Sequence, residues 1–517
     1  MARHVGPSEA RMPVVETAQG RLEGAHTDGV AAFLGIPYAE APLGALRLRP
    51  PRPARGWRGT RDATRFGAAQ PQREDPLVSS LGLLHGAHCD EDCLTLNVFT
   101  PACDAAARPV LVWLHGGAFI GGTACVPLYD GSRLAARGDV VVVTLNYRVG
   151  LLGFSFAPAA GDEHVANTGL WDQLAALRWV RDSIAAFGGD PARVTVFGES
   201  AGAGSILALA GMPAAEGLFA GAIVQSAAPR GMLTPAEAEA RTGSVLAKLG
   251  APGAGAQALR DAPLGALLEA QYACAAAGPH RTGMFYTPVR DGRGLVDEPA
   301  DAFTRGFAAK LPLLIGTTRD EMRLYALGPL ASEEIVSRIV APQLTWLEEP
   351  ARSEAVRELI AVHRAERTAR GEPCAPADLF FAIQTDLSLR YHSARIAELR
   401  APSRNTWMYQ FSWTSPLRGG VHGACHALDL PFTFGTLDAP GMAEFAGGGA
   451  AAQGLSGAMM DAWCAFAHRG DPSCDALGSW PAYTAERRKT MELGARCGVL
   501  DAPQEAERSA LARIGCV

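Results

Sequence analysis

The sequence predicts an α/β fold with a large, mostly parallel central sheet and long helical insertions. Three observations point there. Short apolar runs such as Val110–Trp113 and Val140–Leu145 show no polar alternation, as expected of strands buried on both faces. Segments with apolar residues at helical spacing stand between such runs, and strand–helix alternation is the layout of a sheet covered on both sides. The third is bulk: 517 residues, 48% apolar and 19% charged, supply a large core and exclude disorder for most of the chain.

In chain order, Val110–Trp113 and Val140–Leu145 are expected strands. Asn167–Phe187 follows as a helix, with Leu170, Leu174, Leu177, Val180 and Ile184 on one face. Gly188-Gly189-Asp190-Pro191 reads as its stop signal. Val194–Phe197 is a strand, and a helix begins at about Ala201. Ala222–Gln225 and Leu311–Ile315 read as further strands, Ser332–Leu399 as mostly helical, Trp407–Phe411 as a late strand, and Gly454–Arg469 as a late helix after a Gly/Ala-rich loop at Gly447–Gly454. No repeat and no linker divides the pattern. Residues 12–517 are therefore expected to form one domain, with insertions at about 231–300 and 325–420, and residues 1–11 a disordered extension.

Net charge is −6, which points to neither nucleic acid nor an anionic membrane surface. Pro109–Tyr129 and Ala201–Pro229 are nearly free of charge, but Gly and Pro interrupt both, so buried strands and loops explain them better than membrane spans. The N-terminus lacks the apolar core of a secretory signal, which favours the cytoplasm. His85, His88, Cys89 and Cys93 are the one tight group of metal-ligating types; they lack finger spacing and read as a loop with incidental thiols, so no metal or other cofactor is expected.

The chemistry centres on Gly198-Glu199-Ser200-Ala201-Gly202, set between an expected strand and an expected helix. That is the context of a nucleophile elbow, a tight turn needing small residues two before and two after the serine. It places the hydroxyl at a helix N-terminus, where free N–H groups favour negative charge. His115-Gly116-Gly117-Ala118 follows the Val110–Trp113 strand, and such a glycine pair can aim successive N–H groups at one point. Gly117, Ala118 and Ala201 are the expected oxyanion donors.

The base should be a histidine and the acid a carboxylate lying between serine and histidine. Of twelve histidines, His280, His363, His392, His422, His426 and His468 follow Ser200. His426 sits on a loop after the late strand, with His422 its nearest rival. Asp320 and Glu321, just after Leu311–Ile315, could each orient an imidazole. Local chemistry leaves both choices open.

These motifs together resemble the type-B carboxylesterase/lipase family, which includes cholinesterases and bacterial para-nitrobenzyl esterases. The likeness runs from about Val14 to Tyr483. It includes Phe33-Leu-Gly-Ile-Pro-Tyr-Ala39, Glu91-Asp-Cys-Leu-Thr-Leu-Asn97, Asn146-Tyr-Arg-Val-Gly-Leu-Leu-Gly-Phe154, Asn167-Thr-Gly-Leu-Trp-Asp-Gln173, Phe197-Gly-Glu-Ser-Ala-Gly202 and Gln225-Ser226. The resemblance implies an α/β-hydrolase fold and a serine carboxylesterase with Ser200, Glu321 and His426 as its catalytic triad. It favours Glu321 over Asp320. It favours His426 over His422, because the family histidine stands nine residues before the Gly of a Phe-x-Phe-Gly run, here Phe432–Gly435. It also implies structural ion pairs Arg47–Glu91 and Arg148–Asp172.

The chain departs from some relatives. Secreted members pair the Cys of the Glu-Asp-Cys motif with one upstream, yet no Cys precedes Cys89 here. Cholinesterases hold choline on an aromatic ring before that motif, and no Phe, Tyr or Trp lies between Phe66 and Phe99. The expected partner is a small, apolar ester, met by a monomer. Pro76–His88, the segment after Ser226 and Tyr325–Arg418 are the expected pocket walls. Rival readings use the same triad as an acyltransferase, lactonase, or carbamate or amide hydrolase, or keep the fold as a non-enzymatic binding protein.

Overall fold

The computed structural model describes residues 12–73, 87–157, 166–227, 231–277, 284–325, 330 and 332–516. Among them are fourteen strands: β1 (Val14–Thr17), β2 (Gly20–Glu23), β3 (Ala25–Thr27), β4 (Val30–Pro37), β5 (Thr60–Asp62), β6 (Thr95–Thr100), β7 (Arg108–Leu114), β8 (Val141–Leu145), β9 (Gly189–Glu199), β10 (Gly221–Gln225), β11 (Leu313–Thr318), β12 (Thr406–Phe411), β13 (Thr490–Leu493) and β14 (Gly498–Leu500). Eleven form one sheet in the order β14-β13-β12-β11-β10-β9-β7-β8-β6-β4-β3. The run from β8 through β13 is parallel, and the antiparallel pairings lie towards the edges. β1, β2 and β5 make a separate small sheet.

Alternation along the central strands builds two cores. Val110, Val112 and Leu114 of β7 face one cluster, while Leu111 and Trp113 face the other. The first is covered by the helices Thr168–Ser183 and Ala201–Ala210, the second by Ser132–Gly138 and Ala450–Arg469. Both faces are thus apolar, which is why these strands read as unbroken hydrophobic runs. A third cluster joins the helices Glu333–Val340, Ala351–Ala369 and Pro376–Thr385 to the late helix Glu505–Arg513.

Several boundaries move for identifiable reasons. The helix expected over Asn167–Phe187 is α-helical over Thr168–Ser183 and finishes as a 3-10 turn at Ile184–Phe187. Gly188, at φ 80°, ends it as expected, but β9 starts at the next residue. Asp190-Pro191 falls where the register with β7 slips, so the turn residues are absorbed inside a strand. β11 begins two residues later than expected, because Leu311 closes the 3-10 turn Phe307–Lys310 and Pro312 has no N–H to give a ladder. The last long helix starts at Ala450, inside the expected Gly/Ala loop. Gly454 is tolerated there because Leu455, Met459 and Trp463 of that helix are buried in the second core.

Candidate active site

The site is assembled at the carboxyl ends of the parallel strands, beside the point where β7 separates β8 from β9 and the strand order reverses. Register does the first part of the work. Leu114 pairs with Gly198, so the loop after β7 leaves the sheet beside the turn after β9. Gln225 pairs with Glu199 on one side and Gly316 on the other, which sets the end of β11 two strands from the elbow.

Ser200 holds φ 54° and ψ −121°, a backbone conformation rare for a residue with a side chain. Its amide donates to Gln225 O at 2.9 Å and its carbonyl accepts from Gly204 N at 2.8 Å, which hold the turn. The glycines around it are steric necessities: a Cβ on Gly202 would lie 1.9 Å from Leu114 O, and one on Gly198 2.8 Å from the same atom. Ala201 opens the helix Ala201–Ala210, whose first amides have no acceptor within the helix.

His426 and Glu321 meet across two loops. His426 Nδ1 stands 2.6 Å from Glu321 Oε2, and His426 N donates to Glu321 O at 3.1 Å. Glu321 is fully buried, and its Oε1 accepts from Thr318 N at 2.7 Å. Asp320 and His422 are engaged elsewhere. Asp320 Oδ2 accepts from Ala424 N at 3.0 Å, tying the acid loop to the histidine loop. His422 Nδ1 stands 3.0 Å from Arg323 O.

Glu199, to which no motif in the sequence gives a role, is the third carboxylate. It is buried, with Oε1 3.0 Å from His426 Nε2. Burial opposes charge on His426, but Glu199, Tyr325 and Glu321 together outweigh it and hold the imidazole well above its ordinary value. Its place beside the elbow serine was the available signal. Asp429 lies nearby, fully buried, with Oδ2 accepting from Gln225 Nε2 at 2.9 Å; burial, then Glu199, pushes its carboxyl up to about 7.

The loop after β7 carries Gly117 at φ 116°, Ala118 at φ 54° and Phe119 at φ 59°. A Cβ on Gly116 would come within 2.7 Å of Glu199 Oε2 and 3.2 Å of Ser200 Cβ, so this loop passes directly against the elbow. The ring of His115 stacks on Tyr147 with centres 4.4 Å apart, and Tyr147 Oη donates to His115 O at 2.7 Å. Burial lowers His115 to about 4, so it is neutral at ordinary pH.

Both ion pairs implied by resemblance form. Arg148 meets Asp172 through two bonds of 2.7 and 2.6 Å with both side chains buried, and Arg47 meets Glu91 at 2.7 and 2.5 Å. Arg47 also caps the carbonyls of Arg260 and Ala262 at 2.8 and 2.7 Å. Most of the expected pocket wall Pro76–His88, with His85 in it, lies outside the described residues, as do residues 1–11 and 228–230. Among the described residues, no three His, Cys, Asp or Glu side chains are arranged to hold a metal ion, and no helix is long and apolar enough to cross a membrane.

A family model described as the carboxylesterase family matches residues 11–510. Para-nitrobenzyl esterase of Bacillus subtilis is 38% identical over 499 residues, covering 96% of this chain and 98% of its own. Phenmedipham hydrolase of Pseudarthrobacter oxydans is 36% identical over 93% of this chain and 95% of its own. Among solved structures, a para-nitrobenzyl esterase superposes with a TM-score of 0.84 at 37% identity, covering 97% of this chain and 99% of that one. A Geobacillus stearothermophilus carboxylesterase does so at 0.80 and 38% identity, covering 96% and 99%.

Proposed function

The chain belongs to the carboxylesterase family, and on that premise we propose that it hydrolyses small carboxylic esters through an acyl-enzyme on Ser200. His426 takes the serine proton as the hydroxyl attacks the ester carbonyl. Glu321, bonded to Nδ1, holds the imidazole tautomer and stabilises the imidazolium. The amides of Gly117, Ala118 and Ala201 receive the oxyanion. His426 then passes its proton to the leaving alcohol, and in the second half it activates the water that releases the acid. The reading needs no cofactor. The observation that supports it is the 2.6 Å Glu321–His426 pair, taken together with a serine held at φ 54° in the turn after β9.

The ring of Tyr325, centred 6.4 Å from that of His426, supports an ester with apolar groups. All eleven cysteines are free thiols, which supports a cytoplasmic protein, and we take the working unit to be a monomer. The test is Ser200→Ala assayed on p-nitrophenyl esters of increasing acyl length. Turnover is expected to fall on the order of 10⁵–10⁶ fold, by the scale of another serine hydrolase. Near-normal turnover would end the assignment.

A further inference from the structure

The proposed oxyanion loop is costly to hold, because two successive non-glycine residues, Ala118 and Phe119, sit at positive φ between Gly117 and Gly122. Such a backbone persists only where its surroundings over-determine it. One tie is within the loop, Gly121 N to Gly117 O at 3.0 Å, and another is Gly150 N to Phe119 O at 2.6 Å. The end of the loop is fixed by two buried glutamines from outside it. Gln72 grips the peptide groups of Gly122 on both sides: Gly122 N donates to Gln72 Oε1 at 2.8 Å, and Gln72 Nε2 donates to Gly122 O at 2.8 Å. Gln70 Nε2 donates to the same carbonyl at 2.5 Å and stands 3.1 Å from His115 Nε2.

A proton count makes the set consistent. His115 Nδ1 faces Gly116 O at 2.8 Å, a pure acceptor, so the proton of neutral His115 sits on Nδ1. Its Nε2 is then an acceptor, which Gln70 satisfies. The two Nε2 hydrogens of Gln70 go to His115 and Gly122 O. Those of Gln72 go to Gly122 O and, at 3.1 Å, to Gln70 O. Both amide donors of each glutamine are used, and Gln70 bridges the first and last residues of the loop.

We propose that Gln70 and Gln72 are positioning residues of the oxyanion hole: by fixing His115 and Gly122 they aim the amides of Gly117 and Ala118 at the carbonyl oxygen. The inference rests on the reading of those two amides as donors. Gln72→Met removes the two-point grip. Gln72→Glu keeps the shape and the acceptor for Gly122 N, but its ionised form donates nothing. Three readouts are taken with a p-nitrophenyl ester: kcat and KM separately, the affinity of a trifluoromethyl ketone that adds to the serine as an oxyanion, and thermal unfolding.

For Gln72→Met, kcat is expected to fall about 10- to 100-fold, less than the loss of a donor itself, with KM nearly unchanged. Ketone affinity falls by a similar factor. For Gln72→Glu, the rate relative to the unaltered enzyme rises as pH falls, because a protonated carboxyl can again donate to Gly122 O. If Gln72→Met does not fold, Gln72→Glu carries the test. Unchanged kcat and ketone affinity in the folded variants would overturn the clamp and leave the donors standing. A fall in kcat without loss of ketone affinity would overturn the donor placement and the clamp with it.

Discussion

Glu199→Gln isolates the electrostatics of the site. Glu199 Oε1 lies 3.0 Å from His426 Nε2, opposite the nitrogen that meets Glu321. With charge centres about 4 Å apart and an effective dielectric of about 20, the attraction is about 4 kcal/mol, an upper bound near three pKa units. Opposite charges at such range move a pKa by about 1–3 units in practice. His426 is held above its ordinary value, so on the proposed role of His426 as base the acid limb of the rate profile follows the charge that faces its Nε2. Removing the Glu199 charge lowers the imidazole pKa, and the acid limb of the kcat/KM profile should move down by about 1–3 units. The variant should keep a larger share of its own maximum rate at pH 6 than the unaltered enzyme does. The maximum itself should drop, since on the proposed mechanism Glu199 also faces the imidazolium formed during attack. The assay is kcat/KM for a neutral p-nitrophenyl ester from pH 5 to 10 at constant ionic strength. An acid limb that stays in place, or moves upward, would refute the role given to Glu199.

Two stability predictions use buried charge. Asp172→Asn leaves the Arg148 guanidinium buried without its counter-charge, and should cost about 3–5 kcal/mol in denaturant unfolding. Asp429→Asn should act in the opposite direction. The Asp429 carboxyl is raised to about 7 from 3.8, so its folded-state penalty is absent below the lower value and complete above the upper one. The asparagine oxygen can keep the Gln225 bond, so the variant should gain stability on the order of a few kcal/mol at pH 8.5 and less at pH 5. Equal effects at both pH values would count against the raised carboxyl.

Much of the fold is legible in the chain because burial on both faces leaves an unmistakable record. The apolar runs of β7, β8, β10 and β12 read as strands without any tertiary information. The small sheet of β1, β2 and β5 does not, since its strands are three or four residues long and partly exposed, with no hydrophobic period to find. The π-helical stretch Asp386–Arg390, inside what reads as continuous helix, also leaves no trace in apolar spacing.

The site divides in the same way. The elbow is legible in the chain, because only glycine fits where a Cβ would meet the Leu114 carbonyl, and the Gly-rich loop after β7 is legible for a similar reason. Such constraints are local in the chain and leave local residues. Local chemistry could not separate His426 from His422 or Glu321 from Asp320, because each pair shares one loop and one chemical type. Family resemblance favoured one of each. Tertiary structure alone decided the contacts: Asp320 ties two loops together, His422 meets a backbone carbonyl, and Glu199 joins the imidazole. The same holds for Gln70 and Gln72, which reach Gly122 across about fifty residues of chain. Pairings between distant segments are set by strand register and packing, and no single stretch of sequence carries that information.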